Sequence, residues 1–362
     1  MADKVHLTIQ EATNLATAVL SAIGTPHDLA REVAEHLVEA DCVGHSSHGI
    51  ARLPSYVDFV DRGVVIPGAR PEVILDGSSP VVSANWGFSH VAARMATDLA
   101  CDRTPTRPIG MAGLVRSTHL GRLGAYMERA CRANCVALAF VGGMGGKRLV
   151  APFGGRQGLL GSNPVAAGFP TSSGGPVVVD FSTAAAPIGK IMVAAMAGER
   201  MPTQSLVDRD GHPTDDPNAL EDGGAMRTFG DHKGFGLAVL IELLGKVLLG
   251  SAVLSDGGGS AIFRDQGLFL VAIAADAFRD LSDVLDDAEA LRRSVHAVPP
   301  AAGFDGVLAP GDPERRNRST HQSGFSISAG AWEKIRAARN LSNRMRQVRR
   351  PVLCRPSPSE AG

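Results

Sequence analysis

From about residue 75 to residue 305 the chain alternates short apolar runs of strand character with stretches of helical spacing. On either side of that tract, apolar residues recur only at helical spacing. Thr8-Ile9-Gln10-Glu11 reads as a capping box opening a stripe through Leu15, Val19 and Ile23, with Gly24 placed to stop the helix. Thr25-Pro26 is expected to cap a second helix that buries Leu29, Val33, Leu37 and Val38. Tyr56 to Val60 continue as a short helix, and Pro67-Gly68 begins a change of texture. Strands are then expected near Val81-Val82 and at Ile109–Val115, Val136–Val141, Val177–Asp180 and Leu268–Ile273. Helices fall between them: through Val91, Met95 and Leu99, over Arg122–Arg132, from Pro187, from near Lys233, and around 282–297. Near the end, Ser328 is placed to cap a helix carrying Trp332, Ile335 and Leu341 that folds back on the N-terminal helices.

The fold class expected is therefore α+β. Residues 1–75 with 306–350 make a small helical domain, 76–305 make a larger sheet-containing domain that binds cofactor and substrate, and 351–362 make a disordered tail. Two-residue alternation is weak, so strand order does not follow. A chain of 362 residues that is 44% hydrophobic has material for two or three cores.

With Lys+Arg 36 against Asp+Glu 37, no global field favours nucleic acid or an anionic membrane, and small molecules are the expected partners. The N-terminus lacks the apolar stretch of a secretory signal. Cys42, Cys101, Cys131, Cys135 and Cys354 show no CxxC spacing, which argues against a disulfide framework or structural zinc and fits a cytoplasmic location. The longest apolar run, Phe235 to Leu254, contains Glu242 and Lys246 one turn apart, so a buried amphipathic helix is expected rather than a membrane span.

Chemistry concentrates in four places. Gly44-His45-Ser46-Ser47-His48-Gly49-Ile50-Ala51-Arg52-Leu53-Pro54 crowds two histidines, two hydroxyls and an arginine between helices. Arg116-Ser117-Thr118-His119-Leu120-Gly121 sets a third histidine at a strand end, where an imidazole can exchange a proton near neutral pH or merely cap a helix. Asp180 ends an apolar strand; it can orient a histidine, or serve as an N-cap, the commoner role. Asp231-His232-Lys233-Gly234-Phe235-Gly236 opens a helix whose positive end attracts anions, with Lys233 either reinforcing that site or simply solvated. GxGxxG, GxxxxGK[ST] and GxSxG are all absent, and Gly142-Gly143-Met144-Gly145-Gly146-Lys147 fits none of these spacings. His45 and His48 lack the accompanying ligands that a metal site requires, so no metal is expected.

In this arrangement the chain resembles the type 2 malate/L-lactate dehydrogenases, which include ureidoglycolate, sulfolactate and diketogulonate dehydrogenases and piperideine-2-carboxylate/pyrroline-2-carboxylate reductases. The matching pieces are Gly44–Gly49 with Arg52-Leu53, Ser117–Gly121 with Gly124, Gly161-Ser162-Asn163-Pro164, Asp180–Thr183, His232–Gly236 and Pro310-Gly311-Asp312-Pro313-Glu314. Each is weak alone; together, in the family's order, they are specific. Among the departures, Leu268 stands where a histidine is common in the family and is expected to alter the pocket.

The resemblance implies hydride transfer between NAD or NADP and a small 2-oxo or 2-hydroxy acid, or a cyclic 2-imino acid, without a standard Rossmann fold. It also implies a homodimer. By position, Ser47, His48 and Asp180 match the family's proposed proton relay, while His119 matches the proton acceptor assigned in other members. Cofactor contacts carry over to His119, Gly143, Asp180, Phe181, Ser182, Lys233, Pro310, Gly311 and Asp312. Arg52 is expected to anchor the substrate carboxylate, because a guanidinium grips a carboxylate with two parallel bonds. Two rival readings are a serine-type hydrolase using Ser47-His48 and a ligand-binding member of the fold without turnover.

Overall fold

The computed structural model describes residues 4–143, 148–250 and 264–348. The expected tail at 351–362 and Met144–Lys147 of the glycine-rich stretch lie outside the described residues. The first elements are β1 (Lys4–Leu7), α1 (Ile9–Ala22), α2 (His27–Cys42), α3 (Leu53–Asp61), β2 (Glu72–Leu75), β3 (Val81–Ser83), α4 (Ser89–Cys101), β4 (Ile109–Ser117), α5 (Gly124–Arg132) and β5 (Cys135–Gly142). There follow β6 (Pro164–Phe169), β7 (Val177–Ser182), α6 (Ile188–Ala197), β8 (Leu206–Val207), β9 (Pro213–Thr214), β10 (Ala225–Met226) and α7 (His232–Glu242). The chain closes with β11 (Gln266–Ala274), α8 (Leu281–His296), α9 (Asp312–Thr320), β12 (Phe325–Ser328) and α10 (Ala329–Val348).

The helical unit forms as its caps direct. Thr8 Oγ1 accepts from Glu11 N at 3.2 Å while Thr8 N donates to Glu11 Oε2 at 2.9 Å, and Gly24 takes φ 101° just past the end of α1. At the other end of the sequence, Ala331 N donates to Ser328 Oγ at 3.2 Å, and α10 packs on α1 and α3. β1 pairs antiparallel with β12, so the two chain ends close one core that contains Leu20, Leu37, Tyr56 and Ile335. Two expectations change here. Pro26, not Thr25, precedes α2, and Thr25 Oγ1 is buried without a hydrogen-bond partner among the described residues. Leu341 is exposed, and Ala338 and Ser342 are buried in its place.

The second core lies on a mixed seven-stranded sheet of order β2-β3-β4-β11-β5-β6-β7, in which only the β3–β4 pair is parallel. β2, although it precedes residue 76, pairs with β3 at the sheet edge. Leu268 lies at the centre of the sheet, opposite Leu114 and Val141 and fully buried, so this departure from the family pattern is a core residue rather than a pocket residue. β6 escapes a reading by propensity: it reads Pro-Val-Ala-Ala-Gly-Phe because α5 packs directly on it and only small side chains fit. A third core, with Leu160, Ile191, Leu206, Met226 and Ala238, sits under α6 and α7. Within residues 201–224, β8 and β9 join a small sheet with β10.

The apolar run starting at Phe235 is the reverse of a buried amphipathic helix. α7 continues into one π-helical turn, Leu243–Val247, and it is Glu242 and Lys246 that are buried. Val239, Leu240, Leu243, Val247 and Leu248 are exposed. Glu242 Oε1 accepts from Gly143 N (3.0 Å) and Asn163 Nδ2 (2.7 Å), and Lys246 Nζ donates to Asp265 Oδ2 (2.7 Å) and its carbonyl (2.6 Å). Each buried charge thus has hydrogen-bonding partners, as burial demands. Beneath them the π-turn touches β5 and β11 backbone to backbone, where Gly142, Gly245 and Gly267 meet.

Candidate active site

The Gly44–Pro54 stretch folds as two short 3-10 turns, Ser46–His48 and Ile50–Arg52, leading into α3. What holds them is Asp41, buried in the last turn of α2, whose Oδ2 accepts from Ile50 N at 2.8 Å. The carboxylate lies so close under Gly49 that a Cβ there would sit 2.1 Å from Oδ1. Burial pushes the Asp41 carboxyl up to about 7. On this platform Ser47 Oγ lies 3.1 Å from His48 Nδ1, and Arg52 Nε donates to the Ser47 carbonyl at 2.5 Å.

His119 arrives from the other side, just past β4, and is 5% exposed. Its ring stacks on that of His48, with centroids 5.5 Å apart and planes 18° apart. Its Nδ1 is 2.7 Å from Tyr56 Oη, which also lies 3.1 Å from His90 Nε2. Burial, helped by the Arg52 guanidinium, pushes His48 down to about 3 and His119 well below the ordinary imidazole range. Both rings are therefore uncharged at pH 7.

Strand β7 ties the remaining pieces together. Near its start, Val178 N donates to the Pro310 carbonyl at 3.3 Å, docking the Pro310-Gly311 turn. Midway, Asp180 Oδ2 accepts from Gly124 N at 2.7 Å. Asp180 therefore caps α5, and among the described residues its hydrogen bond goes to this amide rather than to a histidine. At the end of β7, Ser182 Oγ and Thr183 N both donate to the Ser162 carbonyl (2.8 and 3.0 Å), and Phe229 N donates to the Thr183 carbonyl (3.0 Å). Phe181 and Phe229 rings meet edge to face at 5.6 Å. Gly161 packs backbone to backbone on Gly143, and the turn carrying Phe229 leads into α7, where Lys233 is exposed in the first turn. Asp312 behaves differently. It is buried among His296 Nε2 (2.5 Å), Arg292 (3.4 Å) and Arg315, which with the Ala309 amide hold its carboxyl down to about 2, so it fixes the turn rather than facing outward.

The structure thus brings Ser47, His48, Arg52 and His119 together, and aligns Gly143, Asp180, Phe181, Ser182 and the turn before Lys233 along β7. Sequence reasoning missed Tyr56 and His90 behind His119, and Glu314, whose Oε1 holds His45 Nε2 at 2.8 Å. It also missed Arg122, buried between Glu39 and Glu128 at 2.8 Å each. For Glu314 the signal was present: it ends the Pro310–Glu314 motif, but nothing local points to a residue 269 positions away.

A family model for malate/L-lactate dehydrogenase matches residues 7–336, from the end of β1 into α10. The chain belongs to the malate/L-lactate dehydrogenase family. Within this family it is 36% identical to an L-lactate dehydrogenase of Cupriavidus necator over 341 residues, 93% of this chain and 98% of that protein. A (2R)-3-sulfolactate dehydrogenase (NADP(+)) of Chromohalobacter salexigens is 36% identical over 245 residues, 68% of this chain and 72% of that protein. The crystal structure of Δ1-piperideine-2-carboxylate reductase from Pseudomonas syringae pvar. tomato superposes with a TM-score of 0.81 at 30% identity, covering 92% of this chain and 99% of that one. The malate/L-lactate dehydrogenase assignment makes the chain an oxidoreductase by family, and these relatives lend no support to a hydrolase built on Ser47-His48.

Proposed function

We propose that this dehydrogenase transfers hydride between NAD or NADP and C2 of a small 2-oxo or 2-hydroxy acid, or of a cyclic 2-imino acid. The observation that carries the reading is the stacked, neutral His48–His119 pair beside the Arg52 guanidinium. Arg52 grips the substrate carboxylate and so sets which face of C2 is presented. In oxidation His119 takes the hydroxyl proton, and in reduction it returns a proton to the oxygen or imine nitrogen. His48, kept in register by Ser47, is the competing proton donor. Asp180 acts on this arrangement through the N-terminus of α5.

The strip along β7 suits a nicotinamide cofactor. Gly143 and Gly161 place no side chain there, and Asn163 Oδ1 is buried without a hydrogen-bond partner among the described residues. Gly143, Asp180, Phe181, Ser182, Lys233 and the Pro310-Gly311-Asp312 turn would hold the cofactor, with His119 at its reactive end. The nicotinamide supplies or accepts the hydride. On this reading the helical unit, 1–75 with 306–350, brings Ser47, His48 and Arg52 to the substrate, and the sheet unit, 76–305, brings His119 to it and holds most of the cofactor.

The assembly is a homodimer in this proposal, supported by the exposed Met192, Val193 and Met196 on α6 and the exposed apolar face of α7, which cover the same core. The four cysteines among the described residues are free and buried, in keeping with a cytoplasmic location. No helix among the described residues is long and apolar enough to cross a membrane. Purified protein assayed with NADH and NADPH against pyruvate, oxaloacetate, a sulfonated 2-oxo acid and cyclic imino acids is expected to oxidise cofactor with at least one. Ligand-induced thermal stabilisation without turnover anywhere in the panel would instead support the non-catalytic reading.

A further inference from the structure

His90 is left over by the mechanism above, yet it is 2% exposed and lies directly behind the reacting histidine. Its Nε2 is 3.1 Å from Tyr56 Oη, and the same oxygen is 2.7 Å from His119 Nδ1. His90 Nδ1 is buried with no hydrogen-bond partner among the described residues. A phenol has one hydrogen, so between two ring nitrogens it donates to one and accepts from the other. The three side chains therefore have two arrangements. In the first, Tyr56 donates to His119 Nδ1, His119 carries its hydrogen on Nε2, and His90 Nε2–H donates to Tyr56. In the second, His119 Nδ1–H donates to Tyr56, Tyr56 donates to His90 Nε2, and His119 Nε2 carries no hydrogen.

We propose that His90 is a positioning residue that receives the reaction's proton through the Tyr56 hydroxyl and thereby sets which nitrogen of His119 carries hydrogen. The inference rests on the dehydrogenase reading. In oxidation, hydride leaves C2 for the nicotinamide and the substrate hydroxyl proton goes to His119 Nε2. His119 Nδ1–H passes to the Tyr56 oxygen, and the original Tyr56 proton passes to His90 Nε2. One proton has moved from substrate to His90, which becomes imidazolium, while His119 ends neutral with hydrogen on Nε2. Reduction runs the chain backwards. The transfer removes positive charge from beside the Arg52 guanidinium, which opposes a cation at His119. His90 is instead faced by Tyr56 from α3, His119 from the β4 end, His36 from α2 at 4.9 Å between centroids, and Tyr126 from α5. Burial alone lowers it, to about 3.

The test uses His90→Gln, which can still hydrogen-bond Tyr56 but cannot hold the proton, and Tyr56→Phe, which keeps the packing and cuts the chain. Single-turnover hydride transfer is measured in the oxidation direction across pH and across H2O/D2O mixtures, with cofactor Kd measured by fluorescence. His90→Gln should slow hydride transfer about 10- to 100-fold, within the range of acid–base effects. It should also shift the pH profile and turn a curved dependence on deuterium fraction into a linear one, with cofactor Kd unchanged. A folded His90→Gln enzyme with the wild-type pH profile and the wild-type curvature overturns the proposal. Should that variant not fold, Tyr56→Phe decides in the same way. Absence of any turnover in the wild type, by contrast, defeats the dehydrogenase reading itself.

Discussion

The two sides of the site are built from different materials. On the helical side, the proposed chemistry rests on side chains whose ionisation is displaced by burial: half-buried His48 and Arg52 on the platform fixed by Asp41, with buried His119 facing them from the end of β4. On the sheet side, the β7 strip is made of backbone amides, carbonyls and small hydroxyls, with Phe181 and Lys233 exposed. A surface of the first kind must be dry and rigid before it can hold two imidazoles uncharged beside a guanidinium. A surface of the second kind can follow the contour of a long ligand with little desolvation. Defects on the first side should therefore fall on turnover, and defects on the second on cofactor affinity.

The largest expected effect is that of His119→Ala, which should lower kcat by about 10²- to 10⁴-fold with cofactor Kd unchanged, measured by steady-state kinetics and fluorescence titration. A comparable loss of cofactor affinity would erase the division. Arg52→Lys comes next. Losing a bidentate charged hydrogen bond of about 1.5–3 kcal/mol should raise substrate KM roughly 10- to 100-fold; an unchanged KM removes Arg52 from the anchor role.

Acidification provides a sharper test of the buried side. Below the ordinary imidazole value of 6.5, the unfolded chain binds protons that folded His48 and His90 refuse down to about 3. Stability should therefore fall as pH drops through that window, by about 1.4 kcal/mol per pH unit per histidine. Asp41 works in the opposite sense, since folded it takes a proton at about 7 and unfolded at 3.8, so its share is lost as pH rises between the two. The histidines outnumber it, and urea midpoints measured from pH 7 to pH 5 should decline. A flat or rising series means that these rings are wetter than the structure has them. The smallest effect is expected for Lys233→Ala, a few-fold weakening of cofactor binding that fades at high salt because this charge is exposed; the same loss at every ionic strength would mean that Lys233 is buried by the cofactor.

How much of this was readable beforehand follows the range of the forces involved. The caps at Thr8 and Ser328 act over three residues, and the helices they open lie where spacing puts them. β6 was not readable, because its small residues answer to α5 rather than to any strand preference. The run from Phe235 misled for a related reason: Glu242 and Lys246 face inward toward Gly143, Asn163 and Asp265, partners that lie outside the helix. In the candidate site, motif order singled out His48, Arg52 and His119, whose neighbours along the chain are distinctive, and the fold stacks the two imidazoles on each other. Tyr56 and His90 looked like ordinary helix residues, and their meaning is the 3.1 Å between them. Asp180 was recognised as a strand-end carboxylate that could cap a helix, but the helix it caps begins 56 residues earlier.

The contact of Gly142, Gly245 and Gly267 under the α7 π-turn has a consequence for how this protein can vary. A Cβ on Gly245 would lie 2.5 Å from Gly142 N and 2.7 Å from the Gly267 carbonyl, and the obstructing atoms are main chain, which no rotamer change can move. A library of substitutions at these three positions should be nearly empty of functional clones, alanine included. The exposed faces of α6 and α7 a short distance away, if freed from a partner, should accept polar replacements widely. The map of mutational tolerance across α7 and its π-turn would then invert the usual one: Glu242, Lys246 and Gly245 intolerant, the exposed leucines and valines replaceable.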